Sequence, residues 1–171
     1  LATVLLTELS TLAVDKKFPE FRSTLTEGLQ QLIFLTLLPL VLLLTLSEPI
    51  VRLLFERGQF QAASTQQVTL MMLCLSPSLL AFSLNNVLAR AFYALGDTKT
   101  PMRISLAAIA VNFVAAFVSI SLMPKAGLAI ANSTSAAMQC FLLFYALKRK
   151  LPKFDLRALF APVLRMGLAG L

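Results

Sequence analysis

The side chains able to do chemistry here are few, and most are amides set inside long apolar runs: Asn85, Asn86, Asn112, Asn132 and Gln139. An amide can exchange hydrogen bonds, offer an oxygen to a cation or hold a polar part of a substrate, but it is neither a ready nucleophile nor a proton acid. In hydrocarbon it needs a partner, so each should face another helix or a wet cavity rather than lipid. Asn85, Asn86 and Gln139 are candidates for lining a substrate cavity, with helix-to-helix bonding as the plainer alternative. Asn112 and Asn132 are expected to face each other, or a shared polar cavity, across a helical hairpin whose approximate pivot is Lys125. Glu8 is a further intramembrane carboxylate candidate, placed near enough to a helix end to reach the interface.

Other chemistries lack their parts. There is no His, and Cys74 and Cys140 both lie in apolar runs and read as packed thiols, so the usual zinc, haem and Cys-His arrangements cannot be assembled. Neither a glycine-rich phosphate loop nor a Ser-His-Asp set is present. No enzymatic activity, metal or cofactor is expected.

The elements that position these amides follow from composition. With 58% hydrophobic and 13% charged residues, the chain departs from soluble domains in both respects and reads as an integral membrane protein. Its net charge of +7 sits in short loops, without the continuous basic patch and aromatic platform of a nucleic-acid binder. The apolar runs are too long and unalternating for barrel strands. The predicted fold is therefore all-α, a polytopic transmembrane helix bundle with full spans at 28–47, 68–92, 102–123 and 126–147. Each is long enough, at 1.5 Å per residue, for a hydrocarbon core of about 30 Å.

Residues 1–14 resemble the end of a transmembrane helix and 158–171 the start of another, so the chain reads as an internal fragment of a longer protein. Between charges at 15–27, Phe18, Phe21 and Leu25 recur at helical spacing, predicting an amphipathic helix on the membrane surface, or else a solvated linker. Residues 48–67 read as a short interfacial helix, with Glu48 and Arg52 one turn apart, followed by a polar loop. The turn at 93–101 has Gly96 to end one helix, Thr100 to cap the next and Pro101 for its first turn. In the third span Ser105, Ala108, Asn112, Ala115 and Ser119 share a stripe that should face protein or water, while Leu106, Ile109, Phe113, Phe117 and Ile120 should face lipid. Gly127, Ala131 and Ser135 recur every four residues, which permits close helix approach, and Asn132, Ser135 and Gln139 add a polar line nearby.

Orientation follows from the Lys and Arg count: eleven in the loops at 15–27, 90–103 and 148–157 against three at 48–60 and 125. The positive-inside rule places the first set in the cytoplasm and the second outside. Tyr93 and Tyr145, beside two of the basic loops, resemble interface anchors.

Three motifs, taken together, carry a resemblance: Pro49-Ile-Val-Arg-Leu-Leu-Phe-Glu-Arg-Gly-Gln-Phe60, Ala89-Arg-Ala-Phe-Tyr-Ala-Leu-Gly-Asp-Thr-Lys-Thr-Pro101 and Gly127-Leu-Ala-Ile-Ala131. In order and spacing the chain resembles the MurJ/MviN lipid II flippases. That resemblance implies a fourteen-helix bacterial inner-membrane transporter, of which this chain would be most of the C-terminal lobe. It further implies transport of undecaprenyl-linked lipid II by alternating access, with membrane lipids and the remaining helices as partners. A sodium ion or the membrane potential is the candidate source of coupling. Some members bind sodium between the eleventh and twelfth helices; Asn112 and Asn132 match two of those positions, while Ala116 replaces a carboxylate or amide. A second departure is Thr7-Glu8, where the family commonly has Pro. The alternatives are a related exporter of polysaccharide-linked lipids or drugs, and a non-transporting membrane scaffold.

Overall fold

A computed structural model of the chain describes residues 2–55, 62–122 and 126–151. They form five helices: α1 (Ala2–Val14), α2 (Phe18–Phe55), α3 (Ala62–Ala94), α4 (Lys99–Leu122) and α5 (Gly127–Lys150). Among the described residues there is no strand. All but α1 are long and apolar enough to cross a membrane, judged by length and composition. The segment Glu56–Gln61, the turn residue Lys125, and residues 152–171 with the rest of the basic loop and the expected last helix lie outside the described residues.

Over residues 18–55 the expected division into a surface helix, a span and an interfacial helix is replaced by the single helix α2, 38 residues long. The reason is a stripe that does not pause: Phe21, Leu25, Leu29 and Ile33, spaced by four, are all buried in one core. Phe21 and Leu25 therefore meet protein rather than the membrane surface. At the far end the helix continues through Pro49 to Phe55, with the Glu48 carboxylate 2.7 Å from Arg52 across one turn. At 1.5 Å per residue α2 is roughly 57 Å long, well beyond a hydrocarbon core of about 30 Å. Its charged ends accordingly extend past the apolar layer. The polar stretch at 62–67, expected as loop, is already the first turns of α3. Likewise Lys148, Arg149 and Lys150 are the last turn of α5 rather than loop.

Helix α5 lies between α3 and α4, which barely touch each other, and α3 also packs on α1 and α2. The main core joins Leu9 of α1 to the α2 stripe, to Leu84, Leu88 and Phe92 of α3, and to Leu143 and Leu147 of α5. Gly28 lets α1 approach α2, since a Cβ there would lie 2.6 Å from the Leu5 side chain. Helix α4 meets the bundle along one side only. Its small stripe is buried or half-buried, and Leu106, Ile109, Phe113, Phe117 and Ile120 all point away, Phe113 and Phe117 being 75% exposed. The spacing along 104–124 predicted both faces.

Two turns end their helices in the same way. At Gly96 (φ 72°) the N–H donates to Tyr93 O and that of Asp97 to Phe92 O, the paired bonds that close a helix through a left-handed residue. At Lys16 (φ 58°) the same pair runs to Ala13 O and Leu12 O. There the left-handed position is held by a lysine.

Candidate functional site: the polar seam between α4 and α5

Helices α4 and α5 run antiparallel, and their small stripes meet in a set of polar contacts spaced about one turn apart. Gln139 Nε2 donates to Ser105 Oγ at 2.9 Å, Ser135 Oγ to the Ala108 carbonyl at 2.7 Å, and Asn112 Nδ2 to Asn132 Oδ1 at 3.3 Å. Beyond them Gly127 presses on the backbone of Ser119: a Cβ at Gly127 would lie 2.4 Å from the Ser119 carbonyl oxygen. That contact is what brings the helices close enough for short side chains to bridge them. Ser and Asn reach only a few ångströms, so the seam depends on a glycine at its end.

The pairing corrects the expected pivot. Asn112 and Asn132 are each ten residues from Leu122, as Ser105 and Gln139 are each seventeen, so the register centres on 122 and not on Lys125. The two asparagines are therefore level and bond directly, with no bridging water or ion needed. They stand between two hollows. One, about 280 Å³, is lined by Ala108, Asn112, Asn132, Ser135 and Gln139 with Phe82 of α3. The other, about 400 Å³, is bordered by Met71, Asn112, Leu128 and Asn132.

The remaining amides separate. Asn85 is buried and donates through Nδ2 to the Ala136 carbonyl at 3.2 Å, tying α3 to α5. Its Oδ1 is buried with no hydrogen-bond partner among the described residues. Ser133 Oγ makes a second such tie, donating to Cys74 O at 2.6 Å. Asn86, expected to face another helix or a cavity, is exposed and donates back to Phe82 O on its own helix at 3.1 Å. The physical reason is geometric: the step of about 100° from Asn85 to Asn86 carries the second amide off the face that the first presents to α5. Glu8 is exposed on α1, away from the core. Among the described residues no group of three His, Cys, Asp or Glu side chains comes together that could hold a metal.

At the other end of α4 the cap is Asp97 rather than Thr100. Asp97 Oδ1 accepts the backbone N–H groups of Lys99 and Thr100 at 3.1 and 3.0 Å, and the Thr100 hydroxyl donates to Oδ2 at 2.6 Å. A carboxylate is the stronger acceptor and complements the positive end of the helix. Lys150, at the end of α5, also donates to Oδ2. Lys150 first, and then Thr100 through hydroxyl and backbone, hold the Asp97 carboxyl well below the usual carboxylate range. The tie between the α3–α4 turn and the end of α5 was not foreseen. Its signal was that both segments fell on the same side in the Lys and Arg count.

A family model described as lipid II flippase MurJ matches residues 1–169. Among curated relatives, a probable lipid II flippase MurJ from Vibrio cholerae is 35% identical over 147 residues, covering 86% of this chain and 28% of the relative. Another from Rhizobium meliloti is 36% identical over 146 residues, covering 85% and 27%. The lipid II flippase MurJ of Burkholderia cenocepacia is 29% identical over 150 residues, covering 88% and 29%. Among solved structures, a lipid II flippase MurJ in an inward closed conformation aligns with a TM-score of 0.75 at 24% identity, over 96% of this chain and 36% of that one. That likeness is one of fold. The chain thus spans somewhat over a quarter of the length of these curated relatives. Four helices among the described residues have the length and composition of membrane spans, as in a multi-pass membrane protein.

Proposed function

Because the chain belongs to the lipid II flippase MurJ family, we propose that it is most of one lobe of a bacterial inner-membrane transporter. That transporter carries undecaprenyl-linked lipid II across the membrane by alternating access, without covalent chemistry. The observation that carries the reading is the family match over nearly the whole chain, supported by the helical bundle of matching fold. The direct test is replacement of a host cell's own flippase by the full-length protein that contains this chain. Growth and continued appearance of lipid II on the outer face are expected, and lysis on depletion of the host protein would refute the proposal.

In this reading the Gly96 turn and the basic end of α5 lie in the cytoplasm, and the α2–α3 connection lies outside. Single cysteines at Thr98 and Gln66, both exposed, placed in a background lacking Cys74 and Cys140, should therefore differ toward an impermeant thiol reagent. Gln66→Cys labels in intact cells and Thr98→Cys only after permeabilisation; the reverse pattern would invert the topology.

We assign Asn112 and Asn132 to joining α4 and α5 rather than to holding a cation. The Asn112 amide nitrogen donates to the Asn132 oxygen and Ala116 supplies no ligand; the membrane potential is the driving force we propose. Interhelical polar contacts in membranes average about 0.6 kcal/mol. Asn112→Ala and Asn132→Ala should accordingly express normally, lose little stability, and flip lipid II within about threefold of the parent at this cost. A sodium dependence that disappears in either variant would restore the cation reading.

A further inference from the structure

On the side of α5 away from α4, a groove of about 500 Å³ runs between α3 and α5, from Pro77 and Ala137 at one end, past Leu84 and Phe141, to Tyr145 and Lys148 at the other. The amides discussed above do not line it. Its α5 wall, Ala137 to Lys148, is roughly 17 Å long at 1.5 Å per residue, about half of a 30 Å hydrocarbon core and so the depth of one leaflet.

Polarity is graded along that length. One end is wholly apolar, while the mouth carries two cations without an ion pair among the described residues. Of the three consecutive basic residues, Lys150 is turned onto Asp97. Lys148 lines the groove and has no ion pair among the described residues, and Arg149 lies 5.3 Å over the ring of Tyr145, itself part of the groove wall. Two positive charges therefore stand at headgroup level over an apolar slot one leaflet deep.

We propose that this groove binds an anionic glycerophospholipid of the leaflet on the Lys148 side. One acyl chain lies along the α3–α5 wall, and the phosphate sits between Lys148 and Arg149, whose guanidinium can take phosphate oxygens in pairs. Basic pockets between membrane helices are suited to such headgroups. A long polyprenyl chain would overrun a slot of this depth, so a phospholipid is the occupant that its dimensions favour.

The test is binding of dioleoyl phosphatidylglycerol against dioleoyl phosphatidylethanolamine to the purified full-length protein by native mass spectrometry, in the absence of lipid II, so that the result does not depend on transport. The parent should prefer phosphatidylglycerol, and Lys148→Ala with Arg149→Ala should reduce that preference at least fivefold. Ala137→Phe, at an exposed position on the groove wall, should weaken binding of both lipids by filling the slot. Lys99→Ala with Arg103→Ala, which removes equal charge from the opposite side of α5, should leave the preference intact. No preference in the parent, or an equal loss in the Lys99 and Arg103 variant, would overturn the proposal. So would indifference to Ala137→Phe, the outcome expected if residues 158–171 of the chain itself fill the groove.

Discussion

Gly127→Ala is expected to destabilise the full-length protein by about 2–3 kcal/mol, at the upper end of what overpacking costs in a well-packed interior. The added Cβ would stand 2.4 Å from the Ser119 carbonyl oxygen and 2.7 Å from the Ile120 nitrogen. Those are backbone atoms of α4, held in its own helical bonds, so no rotamer change can clear the contact. The hairpin must open instead. Opening lengthens the contacts next along the seam, first Asn112 to Asn132 and then Ser135 to Ala108, and neither hydroxyl nor amide is long enough to follow. Gly28→Ala is the control, because the atoms nearest its Cβ, at a similar 2.6 Å, are the flexible end of the Leu5 side chain. Thermal unfolding in detergent should show the larger loss at Gly127, and equal losses at both sites would remove the special role assigned to the Ser119 contact.

Asp97→Ala is expected to cost about 2 kcal/mol, combining the loss of a helix cap, about 1 kcal/mol, with the loss of the tie to Lys150. Lys150 is 42% exposed, so its share is that of a solvent-screened pair, about 1 kcal/mol at most. Asp97→Asn separates the two contributions: an amide oxygen can still accept the N–H groups of Lys99 and Thr100, while the charge that holds Lys150 is gone. The intermediate loss expected for Asp97→Asn should also depend on pH. Because the folded protein holds this carboxyl below its ordinary value, its stabilising contribution is complete above the unfolded pKa of about 4 and fades as pH falls below it. The difference between parent and Asp97→Asn should be the same at pH 7 and pH 5 and should shrink in more acid solution. A difference that grew on acidification would contradict the assigned sign.

Periodicity along the chain determined the helices, the lipid-facing and protein-facing sides of α4, and the close approach at Gly127, because these depend on residue spacing within one helix. Composition determined the membrane as solvent for the same local reason. Helix ends were legible at Gly96, from the glycine itself, and after Val14, from the charges that follow it; that Lys16 holds the left-handed position there was not. Continuity of α2 was not legible, since the charges near residues 20–27 and 48–52 look like breaks until the buried stripe Phe21, Leu25, Leu29 and Ile33 is seen to meet α3 and α5. The seam shows the division most clearly. Both stripes could be read in sequence, yet which residue meets which is a property of two helices together, fixed by the register that the Gly127 contact and the packing of α5 impose. A shift of three residues along either helix would have left every periodicity unchanged and placed Asn112 opposite another partner. For the same reason only the tertiary structure could bring Asp97 to Lys150, fifty-three residues away, and turn Asn85 inward while leaving its neighbour Asn86 outside.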